Sequence, residues 1–224
     1  MTSAGKRLAI LSKDEIEDVY GLPSLDDAER NFFFTLDESE TKEMESKNSI
    51  ESRVHFILQL GYFKCKSLFF DVSFSEVRED VQYILKRYFP NAKTPRIMIT
   101  KKTRLTQRSQ ILKLLNYKLF DSNIQEELKT HILKESAICV DPLYLFDKSI
   151  QFLNEHRISL PGYSTFQDII GKTLTAEEKR LQTIIGNSLP FSVNDSLQKM
   201  LVSDGKKMYG ITVLKKDSKG FNYS

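Results

Sequence analysis

The residues of this chain that could do chemistry are concentrated in one basic run. It reads Lys101-Lys-Thr-Arg-Leu-Thr-Gln-Arg-Ser-Gln110 and continues to Lys113. Lysine and arginine neutralise phosphates, and arginine or glutamine can bond the edges of bases through two hydrogen bonds. A helix carrying these side chains on an exposed face is what a small helical module needs to read duplex DNA. We therefore predict DNA contacts from Lys101, Lys102, Arg104, Gln107, Arg108, Gln110 and Lys113.

The charge distribution along the chain favours the same segment. Residues 1–50 hold 12 acidic and 6 basic side chains, whereas residues 91–118 hold 8 basic side chains and no acidic one. Residues 119–224 balance at 13 of each, so the formal net charge of +3 hides a strong segregation. A single-sign stretch inside an apolar-periodic region is typical of a charged surface rather than a tail. A solvated helix face without a ligand is the plainer interpretation, and it stays open.

A second candidate site opens the helix that follows the turn at Pro161-Gly162. Its first residues are Tyr163-Ser-Thr-Phe-Gln167. The backbone N–H groups of a helix N-terminus can receive a phosphate. Ser164, Thr165 and Gln167 can bond a DNA backbone or a base, and we include Tyr163 with them. The same residues would also serve as an ordinary capping box, and the sequence does not separate the two roles.

The residues offer little for catalysis. The three histidines, His55, His131 and His156, are scattered, and the nine glycines form no phosphate-binding loop. No nucleophile elbow or zinc-protease motif is present. Cys65 and Cys139 have neither disulfide-framework nor zinc spacing. We predict no catalytic residue, no metal site and no cofactor in this chain.

Helices must position these side chains, and capping signals predict where the helices begin. The first capping box is Ser12-Lys-Asp-Glu15, and a second is the one at Ser164. A third, at Thr175-Ala-Glu-Glu178, leaves open whether its region is one bent helix or two. Strand patterns are confined to residues 64–74 and 208–215. The predicted helices cover residues 12–21, 25–34 (capped by Ser24), 37–47, 49–63, 73 or 75 to 90, 103–116, 121–135, 141–155, 164–185 and 194–202.

The fold class predicted from this pattern is all-α, with two small helix-turn-helix-like modules followed by C-terminal helices. We place the first module at residues 1–90, the second at 91–190, and a linker or the start of a further helical domain at 191–224. A faint internal echo aligns residues 53–62 with residues 108–117, sharing Arg, Leu and Tyr. If the echo is real, each module has a helix ending at Gly or Asn. Arg53 and Arg108 would then serve equally well at a core edge or in a ligand contact.

Three stretches of the sequence resemble the N-terminal region of the large replicative transposases of the Tn-three family. They are Ile158-Ser-Leu-Pro-Gly-Tyr-Ser-Thr-Phe-Gln-Asp-Ile-Ile170, the run from Thr103 to Tyr117, and the run from Asp37 to Tyr62 that ends in Leu-Gln-Leu-Gly-Tyr. Their order and spacing match that region over nearly the whole chain. Asn116 departs from the family, which has Gly before this Tyr, although Asn also tolerates the left-handed conformation.

The resemblance implies a fragment of a much longer bacterial protein. In that family the N-terminal helical part binds the terminal inverted repeats of the transposon. An acidic triad that cuts and joins DNA with magnesium lies far to the C-terminal side, in a domain this chain lacks. The resemblance therefore implies double-stranded transposon ends as the partner, no enzyme activity in this chain, self-association through the missing domains, and a place in the bacterial cytoplasm at the nucleoid.

Two other functional classes remain as alternatives. The chain could be a helical protein–protein scaffold or oligomerisation region, whose basic face meets an acidic partner or another transposase subunit. A stand-alone enzyme ranks last. A membrane protein is excluded at this stage because no apolar run approaches the ~20 residues of a membrane helix. The N-terminus also lacks a hydrophobic signal core.

Overall fold

The computed structural model describes residues 7–72, 76–94, 99–188 and 193, and helices dominate it. The prediction of an all-α fold is confirmed. In this part of the chain, β-structure is limited to one bridge between Lys118 and Ile158. The helices are α1 Lys13–Tyr20, α2 Asp27–Phe33, α3 Glu38–Glu45, α4 Ile50–Lys66, α5 Arg78–Tyr88, α6 Lys101–Leu114, α7 Ser122–Ser136, α8 Pro142–Glu155 and α9 Tyr163–Ser188.

Most helices begin where the side chain of the N-cap residue satisfies a free backbone N–H group. Ser12 and Glu15 form the predicted reciprocal capping box of α1, and Asp37 forms one with Glu40 at α3. Asp121 and Asp141 cap α7 and α8 as predicted. Local chemistry therefore sets the start of these elements.

Three predicted helix starts differ from the structure. Helix α2 is capped by Asp26 rather than Ser24, because Asp26 has Glu29 three residues on and can close a capping box with it. Helix α6 begins at Lys101 with Thr100 as its cap. The box predicted at Ser164 is wrong, because α9 already begins at Tyr163.

Other predicted boundaries also change. The stretch at Thr175 lies inside α9, which is one helix by its hydrogen bonding. The candidate strand pattern at residues 64–74 does not form a strand, since α4 extends to Lys66 and residues 67–72 are irregular. The caps predicted at Ser73, Ser75 and Asn194, and the candidate strand pattern at 208–215, lie outside the described residues.

The chain forms two compact units, Met1–Leu174 and Thr175–Ser224. The boundary falls within α9. The second unit is described only along the last part of α9 and at residue 193, where Leu181, Ile184 and Ile185 are exposed.

The first unit holds two apolar clusters. Cluster 1 is built around α4, which packs against α2, α3, α5 and α6, so that its residues from Val54 to Phe63 are buried on every side. Cluster 2 joins α7, α8 and the start of α9 with α1 and the segment before it. The clusters do not divide at residue 90: α6 contributes Ile111 and Leu112 to cluster 1, and Leu11 belongs to cluster 2.

The internal echo does not describe two equivalent helix ends. Helix α4 runs through Gly61 to Lys66, whereas α6 ends before Asn116, whose φ of 56° is left-handed. A Cβ on Gly61 would lie 2.4 Å from Cδ1 of Phe34. Gly61 therefore permits close packing, while Asn116 supplies a turn.

Candidate nucleic-acid interface

Helix α6 carries most of the basic run, and its ends are well defined. The Thr100 hydroxyl accepts a hydrogen bond from the Thr103 N–H group at its start. At its end the Tyr117 N–H group donates to the Leu112 carbonyl over 2.7 Å, a bond typical of a helix terminated by a left-handed residue. The side chains of α6 fall into an inward side, two flanks and an outer face.

Gln107 lies on the inward side and is only 1% exposed. Its amide nitrogen donates to the carbonyl and hydroxyl oxygens of Ser52, both over 2.9 Å. Its amide oxygen lies 2.6 Å from Nδ1 of His55. Since the amide oxygen can only accept, the imidazole donates from Nδ1. The structure places Gln107 between α4 and α6, away from the surface where a base could reach it.

His55 is kept neutral by its surroundings. Burial lowers the pKa of its imidazole, because the charged form would lose its hydration, and the nearby guanidinium groups of Arg104 and Arg108 lower it further. The bond to Gln107 and the charge of Asp71 act in the opposite direction. Burial is the largest of these effects, so His55 is a structural hydrogen-bond donor in this fold.

Arg104 and Arg108 lie on one flank of α6, four residues apart and therefore on the same side of the helix. One carboxylate oxygen of Asp71, Oδ1, accepts from Nη1 of Arg104 over 3.1 Å and from Nη2 of Arg108 over 2.8 Å. The Arg108 guanidinium also lies over the Phe69 ring, 5.4 Å from its centroid. Both guanidinium groups are thus held in place and converge on a single anionic oxygen.

Gln110 lies on the opposite flank, where its amide oxygen accepts from Nζ of Lys47 over 2.9 Å. A cavity of about 440 Å³ opens beside it, between the first turns of α4 and α6. Hydroxyl groups dominate its lining, contributed by Ser46, Ser49, Ser52, Thr100, Thr103 and Thr106.

The outer face of α6 carries Lys102 and Lys113, and Lys101 lies beside this face at the first position of the helix; all three are exposed. Thr106 and Ser109 are exposed as well, and with Lys102 and Lys113 they follow the i, i+4, i+7, i+11 spacing of one helix face. Neither of these two hydroxyl residues was among the predicted DNA contacts. Gln107 and Ile111 are four residues apart and lie on the inward side of α6. This spacing leaves Thr106 and Ser109 on the outward side.

Arg157 is a further basic residue close to the C-terminal end of α6. Its Nη1 donates to the Leu115 carbonyl over 3.3 Å, and its own carbonyl accepts from the Lys118 N–H group. Arg157 is exposed, as is Lys118. The positive surface therefore continues past the C-terminal end of α6.

Of the four residues predicted at the start of α9, Tyr163 packs against cluster 2, and most of the four have structural partners. The Tyr163 hydroxyl accepts from the N–H groups of Ile10 and Leu11, over 3.0 and 2.9 Å. Gln167 donates to the Leu8 carbonyl. Thr165 is half-buried, and its N–H group closes the first turn onto Gly162, whereas Ser164 is exposed. The structure does not join these residues to the outer face of α6 through any contact in the described part of the chain.

The remaining reactive side chains have ordinary packing roles. His131 and His156 both pack against the Phe152 ring, at centroid distances of 4.9 and 4.3 Å. Cys65 and Cys139 are half-buried free thiols. Among the described residues, no group of three or more His, Cys, Asp or Glu side chains could hold a metal ion. No helix in the same residues has the length and apolar character needed to cross a membrane.

These observations define an all-α protein with a basic helix whose outer face carries lysine and hydroxyl side chains, with Leu105 exposed beside them. The family comparison then places it: residues 10–173 match the model of a family described as a domain of unknown function, DUF4158. The match covers most of the chain, so the chain belongs to this family. No curated protein sequence matches the chain significantly.

Proposed function

We propose that this chain binds duplex DNA through the outer face of α6, as the non-catalytic N-terminal part of a replicative transposase that recognises terminal inverted repeats. The observation that carries the proposal is the outer face itself. It presents Lys102 and Lys113 around Thr106 and Ser109, with Lys101 exposed beside them, within a segment that has no acidic residue. The resemblance to Tn-three family transposases supplies the proposed target.

The dimensions and chemistry of α6 suit this role. Fourteen residues make a helix about 21 Å long, and the major groove admits one α-helix. The lysines would neutralise phosphates, while the Thr106 and Ser109 hydroxyls would face base edges. Arg104 and Arg108 on one flank, and Gln110 on the other, lie where the two phosphate backbones would pass.

The start of α6 also favours an anionic ligand. Its first turn contains Lys101 and Lys102 and no acidic residue. Cations at a helix N-terminus oppose the helix dipole and cost about 0.3–1 kcal/mol each. A phosphate bound there would be attracted by the lysines and by the helix terminus together. The two lysines at this end therefore destabilise α6 in the free protein, but they would stabilise a complex with a DNA phosphate.

A binding assay with two salt concentrations tests the proposal. The probe is a duplex enriched from a random-core library by the chain itself, compared with a scrambled duplex of the same composition. If about five phosphates are neutralised, log K should fall with log salt at a slope of about −4.5. Weak binding that is equal for both duplexes and insensitive to salt would contradict the proposal.

Matched lysine variants locate the interface. Replacing Lys101, Lys102 and Lys113 by Ala should weaken binding to both duplexes and reduce the salt slope by about 2.7. The control replaces three other exposed lysines, so the net charge changes equally; these are Lys13, Lys134 and Lys172. If the control loses as much affinity, α6 is not the interface.

A protein–protein scaffold is the second candidate, favoured by an apolar surface at the α7–α8 connection. Ile138 is 76% exposed and Val140 is 53% exposed, and Leu133 and Leu143 beside them are also exposed. Clustered exposed apolar residues mark interaction surfaces. If the chain is a scaffold, light scattering should detect an oligomer in the absence of DNA. The double variant Ile138→Ser, Val140→Ser should then be monomeric.

A further inference from the structure

The contact between Asp71 and the two arginines of α6 has the form of an occupied anion site. Arg104 and Arg108 point their terminal nitrogens at one oxygen, Oδ1 of Asp71, over 3.1 and 2.8 Å. Two guanidinium groups that share one charged oxygen are arranged as they would be around a non-bridging phosphate oxygen. The site therefore offers phosphate-binding geometry that an internal carboxylate fills.

We infer that Asp71 is an internal competitor for a DNA phosphate, holding Arg104 and Arg108 in a phosphate-ready arrangement until a duplex displaces it. The inference rests on the proposed function of α6. It adds a specific role for Asp71, which lies in the segment after α4. Neither the charge of α6 nor its helical spacing predicts that role.

The exposure of the three side chains makes exchange feasible. The Asp71 side chain is 67% exposed, while those of Arg104 and Arg108 are 34% and 26% exposed. Ion pairs this open to solvent contribute little, about 0–1 kcal/mol each, because water screens them. A phosphate flanked by further lysine contacts can therefore replace the carboxylate at small cost.

Arg108 is positioned for this role by its own packing. Its guanidinium lies over the Phe69 ring, and its Nε is buried without a hydrogen-bond partner in the described part of the chain. Only the outer end of the group is thus available to an anion. When Asp71 leaves, Phe69 still holds the guanidinium in place, so the site does not have to be assembled by the ligand.

The competition should be visible in the affinity for duplex DNA. Asp71→Asn keeps the shape of the side chain and removes its charge, so the arginines no longer have an internal anion. We expect affinity for the enriched duplex to rise about threefold to tenfold, which corresponds to the loss of two weak ion pairs. The control, Glu126→Gln, removes the carboxylate of an exposed ion pair with Lys129 on α7 and should stay within about twofold of wild type.

A double-mutant cycle separates competition from the general effect of a lost negative charge. In a background with Arg104→Ala and Arg108→Ala, the Asp71→Asn change should no longer alter the affinity for DNA, since Asp71 then has no arginine to occupy. A gain that persists in this background would be long-range electrostatics and would overturn the inference. A loss of affinity in Asp71→Asn alone would also overturn it, because Asp71 would then be orienting the arginines for DNA.

These outcomes are distinguishable from failure of the proposed function. If wild type binds the duplex with a steep salt dependence but Asp71→Asn behaves like Glu126→Gln, only the competitor role is refuted. If folded wild type, checked by circular dichroism, binds no duplex at either salt concentration, both proposals fail together.

Discussion

Gln107 and His55 form a buried pair across α4 and α6, with the Gln107 amide oxygen 2.6 Å from the imidazole Nδ1. The pair makes a prediction about stability. Gln107→Ala would leave the imidazole N–H group without a partner in the core, at about 1–3 kcal/mol, and would also remove two hydrogen bonds to Ser52. Urea denaturation should therefore show Gln107→Ala to be destabilised by about 2 kcal/mol or more.

Gln110→Ala is the matched control for this prediction. Gln110 is half-buried and accepts one hydrogen bond, from Lys47, so its loss should cost about 1 kcal/mol or less. If Gln107→Ala were as stable as wild type but changed the base preference in DNA binding, Gln107 would be a DNA contact and its buried position would be refuted.

His55 also predicts how stability depends on pH. Its pKa in the folded protein is below the ordinary 6.5, chiefly because of burial, so the unfolded chain binds a proton first as pH falls. The free energy of unfolding should then decrease as pH is lowered from about 6.5, with a limiting slope of about 1.4 kcal/mol per pH unit for one proton.

A series of urea denaturations between pH 7.5 and about 5 checks this slope. His55→Gln keeps a donor for Gln107 but does not titrate, so its stability should fall less steeply than that of wild type over the same range. Parallel curves for the two proteins would show that His55 is not the group responsible.

Features set by neighbouring residues were predictable from the sequence, whereas contacts between distant segments were not. Helix starts at Ser12, Asp37 and Asp141 were predictable because a cap and its helix lie within a few residues of each other. The place of Gln107 was not, because its partner His55 lies 52 residues away. Gln107 lies four residues before Ile111 and therefore on the same side of α6, but a polar residue type at that position does not by itself indicate burial.

The candidate site was predictable to the same degree. The segment and its lysines follow from charge alone, and their exposure is confirmed. Asp71 could not be found from the sequence, because its pairing with Arg104 depends on how the segment after α4 packs. Tyr163 and Gln167 carry residue types suited to DNA, yet they bond the backbone of residues 8–11, a contact across more than 150 residues.

Gly61 gives a prediction in which packing outweighs helix propensity. Alanine is the better helix former by about 1 kcal/mol, but its Cβ would lie 2.4 and 2.5 Å from two ring carbons of buried Phe34. Gly61→Ala should therefore be destabilised by about 1–3 kcal/mol, the usual cost of overpacking a core. Thermal denaturation followed by circular dichroism measures it.

Gly171→Ala is the control, since a Cβ there would meet only Leu8 at 3.9 Å, an ordinary contact. It should be neutral or stabilising by up to about 1 kcal/mol. An equal loss of stability in both variants would mean that the contact between Phe34 and α4 is not the cause.

The buried hydroxyl of Tyr62 provides a third test of cluster 1. It donates to Oδ2 of Asp80 over 2.5 Å, while Nε of Arg30 donates to Oδ1 over 2.8 Å. Burial and the neighbouring carboxylate raise the pKa of Tyr62 far above its ordinary value, so it remains a donor. Tyr62→Phe should cost about 1–3 kcal/mol, because one carboxylate oxygen in the core loses its partner.

Tyr83→Phe removes a comparable hydroxyl from a half-exposed position on α5, where it meets Arg87 over 3.0 Å. Water can replace that bond, so the expected loss is below about 0.5 kcal/mol. Equal losses in the two variants, measured by urea denaturation, would argue against a special role for the pair of Tyr62 with Asp80.

Thr106 and Ser109 decide whether α6 reads sequence or only binds phosphate. Both are exposed between Lys102 and Lys113, on the face proposed to enter the groove. Replacing both by Ala should reduce the preference for the enriched duplex over the scrambled one by about 1–3 kcal/mol, and leave the salt slope unchanged, since neither residue is charged. Competition titrations at one salt concentration give the preference, and the lysine triple variant provides the opposite pattern. If preference survives in the Thr106 and Ser109 variant while the lysine variant loses affinity for every duplex, α6 binds the backbone and another element reads the bases.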